Sequence, residues 1–134
     1  MAQSAKSVSA ITLFVEDLAR SKDFYEHVFQ VTGVVEADAG TVILEFDNLF
    51  LRLLTRTEAE KEMLGQVPLA DTGSGASFEL AMFVTDADAR AAELAERGVS
   101  IAYGPIDRPW GVRHVAFRDP DGHLWVLSAD IPAD

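Results

Sequence analysis

Two charged residues interrupt otherwise apolar stretches: Arg52 within residues 49–55 and Glu79 within residues 77–84. A charge withdrawn from water needs a partner, because desolvation costs more than an isolated ion recovers. Such a pair either closes as a salt bridge or recognises a polar group on a ligand. A second chemistry lies in Trp110-Gly111-Val112-Arg113, where a planar indole stacks on an aromatic compound and a guanidinium donates to a polar one. Core filling for Trp110 and a surface ion pair for Arg113 are the plainer alternatives. Phe14, Phe50, Tyr103 and Trp125 add aromatic surface, which in a small β-rich protein is mostly core. Glu79 would also serve as a general base if apolar surroundings raised its proton affinity.

Other chemistries are poorly supplied. The chain has no cysteine, so disulfides, thiolate metal sites and cysteine nucleophiles are excluded. His27, His114 and His123 lie apart, each without a His or Glu at ligand spacing, and read as ordinary surface or half-buried histidines. No Ser/His/Asp signature, phosphate loop or nucleotide fingerprint is present. Twenty-two acidic residues against 11 basic ones give a net charge of −11, a field that repels nucleic acids and anionic lipid surfaces. Solubility is the first reading of that charge and attraction of cationic small molecules the second. No stretch approaches the ~20 apolar residues that span a bilayer. The first apolar run, broken by Glu16 and Asp17, is too short for a signal peptide, so a cytoplasmic location is expected.

The elements that must position these residues form a repeat. At 134 residues, 49% of them apolar, the chain reads as one domain, 1–134. Residues 8–15 read as a strand, Glu16-Asp17 as a helix start, and residues 18–30 as a helix. Phe24, Tyr25, Val28 and Phe29 make that helix's apolar stripe. Gly33 reads as the stop signal, before strands at 34–35, 41–46 and 49–54 separated by Ala39-Gly40 and Asp47-Asn48. Thr57 with Glu60 predicts a capping box for a short acidic helix at 58–64 closed by Gly65. Residues 66–77, rich in Gly, Pro and Ser and including Gly73-Ser74-Gly75, read as a linker.

The order then recurs. A strand at 78–84 precedes a helix capped by Asp86 that runs to Arg97 and stops at Gly98, followed by strands at 99–103, 110–117 and 124–128. Asp119-Pro120-Asp121-Gly122 is a hairpin signal. Residues 10–17 and 79–86 match in length and apolar character, each ending in aspartate, which indicates a duplicated module. The predicted class is α+β: two βαβββ modules (8–56 and 78–130, joined by a linker and short helix at 57–77) forming a curved mixed sheet around a cavity, helices outside.

Two βαβββ halves, Phe24-Tyr25, and the tail Pro109-Trp110-Gly111-Val112-Arg113 followed by Arg118-Asp119-Pro120-Asp121-Gly122 resemble the vicinal oxygen chelate superfamily. That family includes glyoxalase I, extradiol dioxygenases, fosfomycin-resistance enzymes and bleomycin-resistance proteins. The resemblance covers nearly the whole chain and implies a divalent ion held by His or Glu from the first and last strands of each half. Those positions map onto Ala10, Arg52, Glu79 and Val126, and the mapping points Arg52 and Glu79 into the cavity. A methyl and an isopropyl group offer no lone pair, an arginine repels a dication, and one carboxylate falls short of the three protein ligands a catalytic metal takes.

The sequence therefore predicts no metal and no cofactor. It predicts a binder of the bleomycin-resistance type, holding a cationic or planar aromatic small molecule through Arg52, Glu79, Trp110, Arg113, Phe14, Phe50 and Tyr103. A homodimer is expected by analogy, with no nucleic-acid or membrane partner. A metal-dependent glyoxalase-like lyase or dioxygenase is the alternative. A scaffold or regulatory module using the acidic helix at 58–64 is the third reading.

Overall fold

The computed structural model describes residues 6–31, 35–36 and 40–133. Its α+β chain divides into two compact units, Met1–Leu69 and Ala70–Asp134, and the division falls inside the stretch read as a linker. Each unit has the order β-α-β-β-β, so the duplicated module is observed.

In the first unit, β1 (Ala10–Val15) leads into α1 (Leu18–Phe29). Asp17 caps α1 by accepting from the Arg20 N–H at 3.1 Å, which satisfies one of the four donors a helix start leaves open. The helix ends one residue earlier than expected, at Gln30, which takes the left-handed conformation at φ 51°. The expected stop at Gly33, with Val34 and Ala39, lies outside the described residues.

Strands β2 (Val35–Glu36), β3 (Thr41–Glu45) and β4 (Phe50–Thr55) complete a sheet ordered β1-β4-β3-β2, with β1 parallel to β4 and the other pairs antiparallel. Because side chains alternate along a strand, Leu13, Val15, Val42, Leu44, Leu51 and Leu53 share one face, and all are buried. Tyr25 and Val28 of α1 are buried with them, as is Ser21 one turn earlier.

The short acidic helix differs from expectation in a way the sequence explains. It is α2 (Arg56–Glu62), and its cap is Thr55, whose hydroxyl accepts from the Glu58 N–H at 3.3 Å. Thr55-Arg56-Thr57-Glu58-Ala59-Glu60 contains two overlapping Thr-x-x-Glu patterns. The first wins because the helix then starts directly from the end of β4 and carries Ala59 into full burial.

In the second unit, β5 (Glu79–Phe83) precedes α3 (Ala87–Glu96), capped by Asp86 through the Ala89 N–H at 3.0 Å. Strands β6 (Ile101–Asp107), β7 (Val112–Arg118) and β8 (Leu124–Asp130) complete a sheet ordered β5-β8-β7-β6, with β5 parallel to β8. Strand β6 runs four residues past its predicted end at Tyr103 and absorbs Gly104-Pro105 through two register shifts against β7. Bulges of this kind let a strand continue past a residue that cannot donate to the ladder. Residues 108–111 form the connecting turn instead of starting β7, with Arg108 N–H donating to the Val112 carbonyl at 2.8 Å and Gly111 N–H to the Arg108 carbonyl at 3.1 Å. Phe117 and Trp125, stacked at 6.5 Å, lie with Val115 and Leu127 on the sheet face whose Arg113 reaches α3.

The predicted turn between β7 and β8 is present and tightly held. Asp119, its side chain shielded from solvent, accepts at Oδ1 from the Asp121 and His123 N–H groups at 3.0 and 2.7 Å. Its Oδ2 lies 2.8 Å from His123 Nδ1. His123, immediately before β8, thereby closes a side-chain clasp across the hairpin.

Candidate functional site

Strand register decides which side chains can act together. In the first unit, Ala10 pairs with Phe50, Thr12 with Arg52, and Phe14 with Leu54. These residues share the sheet face opposite the buried leucines and valines. Arg52 is fully engaged there. Its Nη1 and Nη2 donate to the two carboxylate oxygens of Glu62 at 3.0 and 2.7 Å, and its Nε donates to the Thr12 hydroxyl at 3.1 Å. The hydrogen bonds from Arg52, reinforced by its charge and opposed by partial desolvation, hold the Glu62 carboxyl below its ordinary range. The ion-pair partner observed for Arg52 is thus Glu62 at the end of α2, where the sequence reading set Arg52 against Glu79. Phe50, 48% exposed, borders a shallow hollow of about 310 Å³ that Ser7, Ser9, Asp47 and Asn48 also line.

In the second unit, Glu79 pairs with Leu124 and Ala81 with Val126. Arg52 is thus offset from Ala10 by the same two residues that separate Val126 from Glu79, so the four mapped metal positions are equivalent between modules. Val126 is 1% exposed and Glu79 is exposed. Among the described residues, no three His, Asp or Glu side chains converge where they could hold an ion. With Arg52 spent on Glu62 and Thr12, the residues at the four mapped positions do not fit a catalytic metal.

Arg113 points away from any shared site with Trp110. It stands on the face that carries α3, donating from Nε to Asp107 Oδ1 at 2.6 Å and from Nη1 to Asp88 Oδ2 at 2.7 Å. The hydrogen bond with Asp107 raises the Arg113 pKa and lowers that of Asp107, with desolvation opposing both shifts. The ion-pair alternative for Arg113 is the arrangement observed.

The other face of the same hairpin gathers a cluster that sequence reading only half found. Register places Tyr103 opposite Ala116 and Ile106 opposite His114, on the side away from Arg113. Trp110, at the corner of the turn, is 67% exposed and meets the His114 ring edge-on at 5.9 Å. Between the two large aromatics lies Arg108, its guanidinium carbon 5.4 Å from the Tyr103 ring centre and 5.9 Å from that of Trp110. Arg108 Nε is shielded from water and has no hydrogen-bond partner. Gly104, at φ +93°, holds this end of β6 against β7, because a Cβ there would overlap the His114 carbonyl. Arg108 escaped the sequence reading because its two aromatic neighbours are five residues before it and two after. Only the turn folds them onto one side.

Comparison with known proteins agrees with this architecture. A crystallised glyoxalase/bleomycin resistance protein/dioxygenase from Nocardioides superposes with a TM-score of 0.83 at 24% identity, covering 99% of this chain and 89% of that one. The crystal structure of lactoylglutathione lyase from Agrobacterium tumefaciens gives 0.74 at 18% identity, over 94% and 95% of the two chains. An uncharacterized protein of Mycobacterium bovis is 27% identical over 125 residues, 89% of this chain and 80% of that protein. The model of the Glyoxalase/Bleomycin resistance protein/Dioxygenase superfamily matches residues 7–127, and the chain belongs to that superfamily.

Proposed function

We propose that this chain is a metal-independent small-molecule-binding protein of its superfamily, taking a planar aromatic compound at the Tyr103–Trp110 end of the β6–β7 hairpin. The observation that carries this reading is an indole left two-thirds exposed beside a second exposed ring, on a turn braced by backbone hydrogen bonds. Exposed aromatic area held in one geometry favours stacking, because little side-chain freedom remains to be lost on binding. Each ring contact contributes about 0.5–1.5 kcal/mol beyond area burial.

The residues in the mapped metal positions support binding without an ion. Of the two ligand characters the sequence admits, the planar aromatic one has local support. The net charge of −11 acts over the whole surface and singles out no place for a cation. Glu79, Phe14, Phe50 and Arg52 belong to the proposal as further ligand-facing groups, with Arg52 acting through its pair with Glu62. We also place the protein in the cytoplasm as a homodimer without nucleic-acid or membrane partners. Among the described residues no helix is long and apolar enough to cross a membrane, and light scattering of the purified protein tests the dimer.

Fluorescence tests the site directly, because Trp110 is exposed and Trp125 is 4% exposed. A library of planar aromatics should yield compounds that quench the exposed component, and Trp110→Phe should abolish that quenching while Trp125 emission persists. Quenching that survives in Trp110→Phe would move the site elsewhere. Stoichiometric metal in the purified protein, with binding or turnover lost on chelation, would overturn the metal-free reading.

A further inference from the structure

We propose that Arg108 is the anchor for a carboxylate on the aromatic ligand, so that the compound taken at this hairpin is an aromatic acid. The inference rests on the binding reading above and adds the charge of the ligand to it.

The first support is the state of the guanidinium. Arg52, Arg56, Arg90 and Arg113 each have a carboxylate within 4 Å, namely Glu62, Glu16, Glu93 and the pair Asp107 and Asp88. Arg108 has no side-chain hydrogen bond or ion pair among the described residues, and neither has Arg118, but Arg118 is exposed to water whereas Arg108 is half-buried with its Nε shielded. In a chain with twice as many acidic as basic residues, that isolation needs a cause. It comes from strand geometry: the adjacent carboxylate, Asp107, faces the other side of the sheet, where Arg113 holds it at 2.6 Å. As the chain leaves β6, Arg108 lies over the Tyr103 ring at 5.4 Å, while Arg113 holds the nearest acid in sequence on the other face.

The second support is its setting. Two rings within 6 Å stabilise the cation and hold its plane, while Nε is already out of water without an acceptor. Part of the desolvation that anion binding demands is therefore met in the folded chain, and the terminal nitrogens keep the full charge for an incoming group. A planar carboxylate matches the two parallel donors of a guanidinium. An aromatic body attached to that carboxylate would meet Trp110, with the His114 ring 5.9 Å further on.

Binding of 2-naphthoate, 2-naphthamide and 2-naphthylmethylammonium, read by Trp110 quenching and by calorimetry, tests the proposal. These three probes share one ring system and differ in charge. The wild-type protein should prefer the acid to the amide by about tenfold, the weight of one charge-assisted hydrogen-bonded contact, with the preference shrinking as salt rises. Arg108→Met should bring the two dissociation constants together. Arg108→Lys, which keeps the charge without the fork, should retain part of the preference and guards against a Met variant that fails to fold. Equal binding of acid and amide to the wild type, or a preference for the ammonium, would overturn the anion inference while leaving the aromatic site standing. Failure of all three probes to bind would remove the site and this inference together.

Discussion

Replacing Asp119 by alanine should destabilise the second unit by several times what an exposed ion pair contributes. Its carboxylate is shielded from solvent and accepts from the Asp121 and His123 backbone N–H groups at 3.0 and 2.7 Å, besides lying 2.8 Å from His123 Nδ1. Alanine leaves those two donors without this acceptor, at about 1–3 kcal/mol each where they stay out of water. Relief of the carboxylate's own desolvation offsets part of that loss. A net loss of about 3 kcal/mol remains, a large share of the ~5–15 kcal/mol that holds a domain of ordinary stability. Urea unfolding followed by far-ultraviolet circular dichroism reads it as a fall in midpoint of about 2 M, for a slope of about 1.5 kcal/mol per M. Asp119→Asn keeps an oxygen for both N–H groups and should lose about 1 kcal/mol or less. The reasoning fails if the alanine variant loses under about 1 kcal/mol, or if asparagine is as damaging as alanine.

Two further outcomes follow from packing and charge. Phe117→Ala removes a ring with no exposed surface that stacks on Trp125 at 6.5 Å; it should lose about 3–5 kcal/mol and shift Trp125 emission to the red, and unchanged emission would place Trp125 in other packing. Glu62 and Asp107 have pKa values lowered by Arg52 and Arg113, so each stabilises the fold above its ordinary value, 4.5 or 3.8, and ceases to as pH falls through its depressed one. Thermal melts against pH should therefore show less acid sensitivity in Arg52→Met below about pH 4.5 and in Arg113→Met below about pH 3.8, and curves parallel to the wild type would refute those pairings.

Much of the fold is legible in local chemistry. Asp17 and Asp86 announce helix starts because a short acidic side chain reaches the open N–H groups of a first turn. Residues 119–122 announce a hairpin because proline presets one dihedral and glycine accepts the positive φ, here 90°, that the turn requires. The duplicated order of elements and the lack of donors at Ala10 and Val126 are likewise written in residue types alone. The destinations of the arginines are not. Arg113 and Asp88 lie 25 residues apart, Arg52 finds Glu62 only once α2 follows β4, and two Thr-x-x-Glu patterns compete until burial of Ala59 chooses between them. Arg108 gains its place between two rings from a four-residue turn and two register shifts in β6. Local sequence sets what each segment prefers, because backbone sterics and capping act within a few residues. Which charges meet depends on strand register and face, and those are decided only when segments distant in the chain pack together.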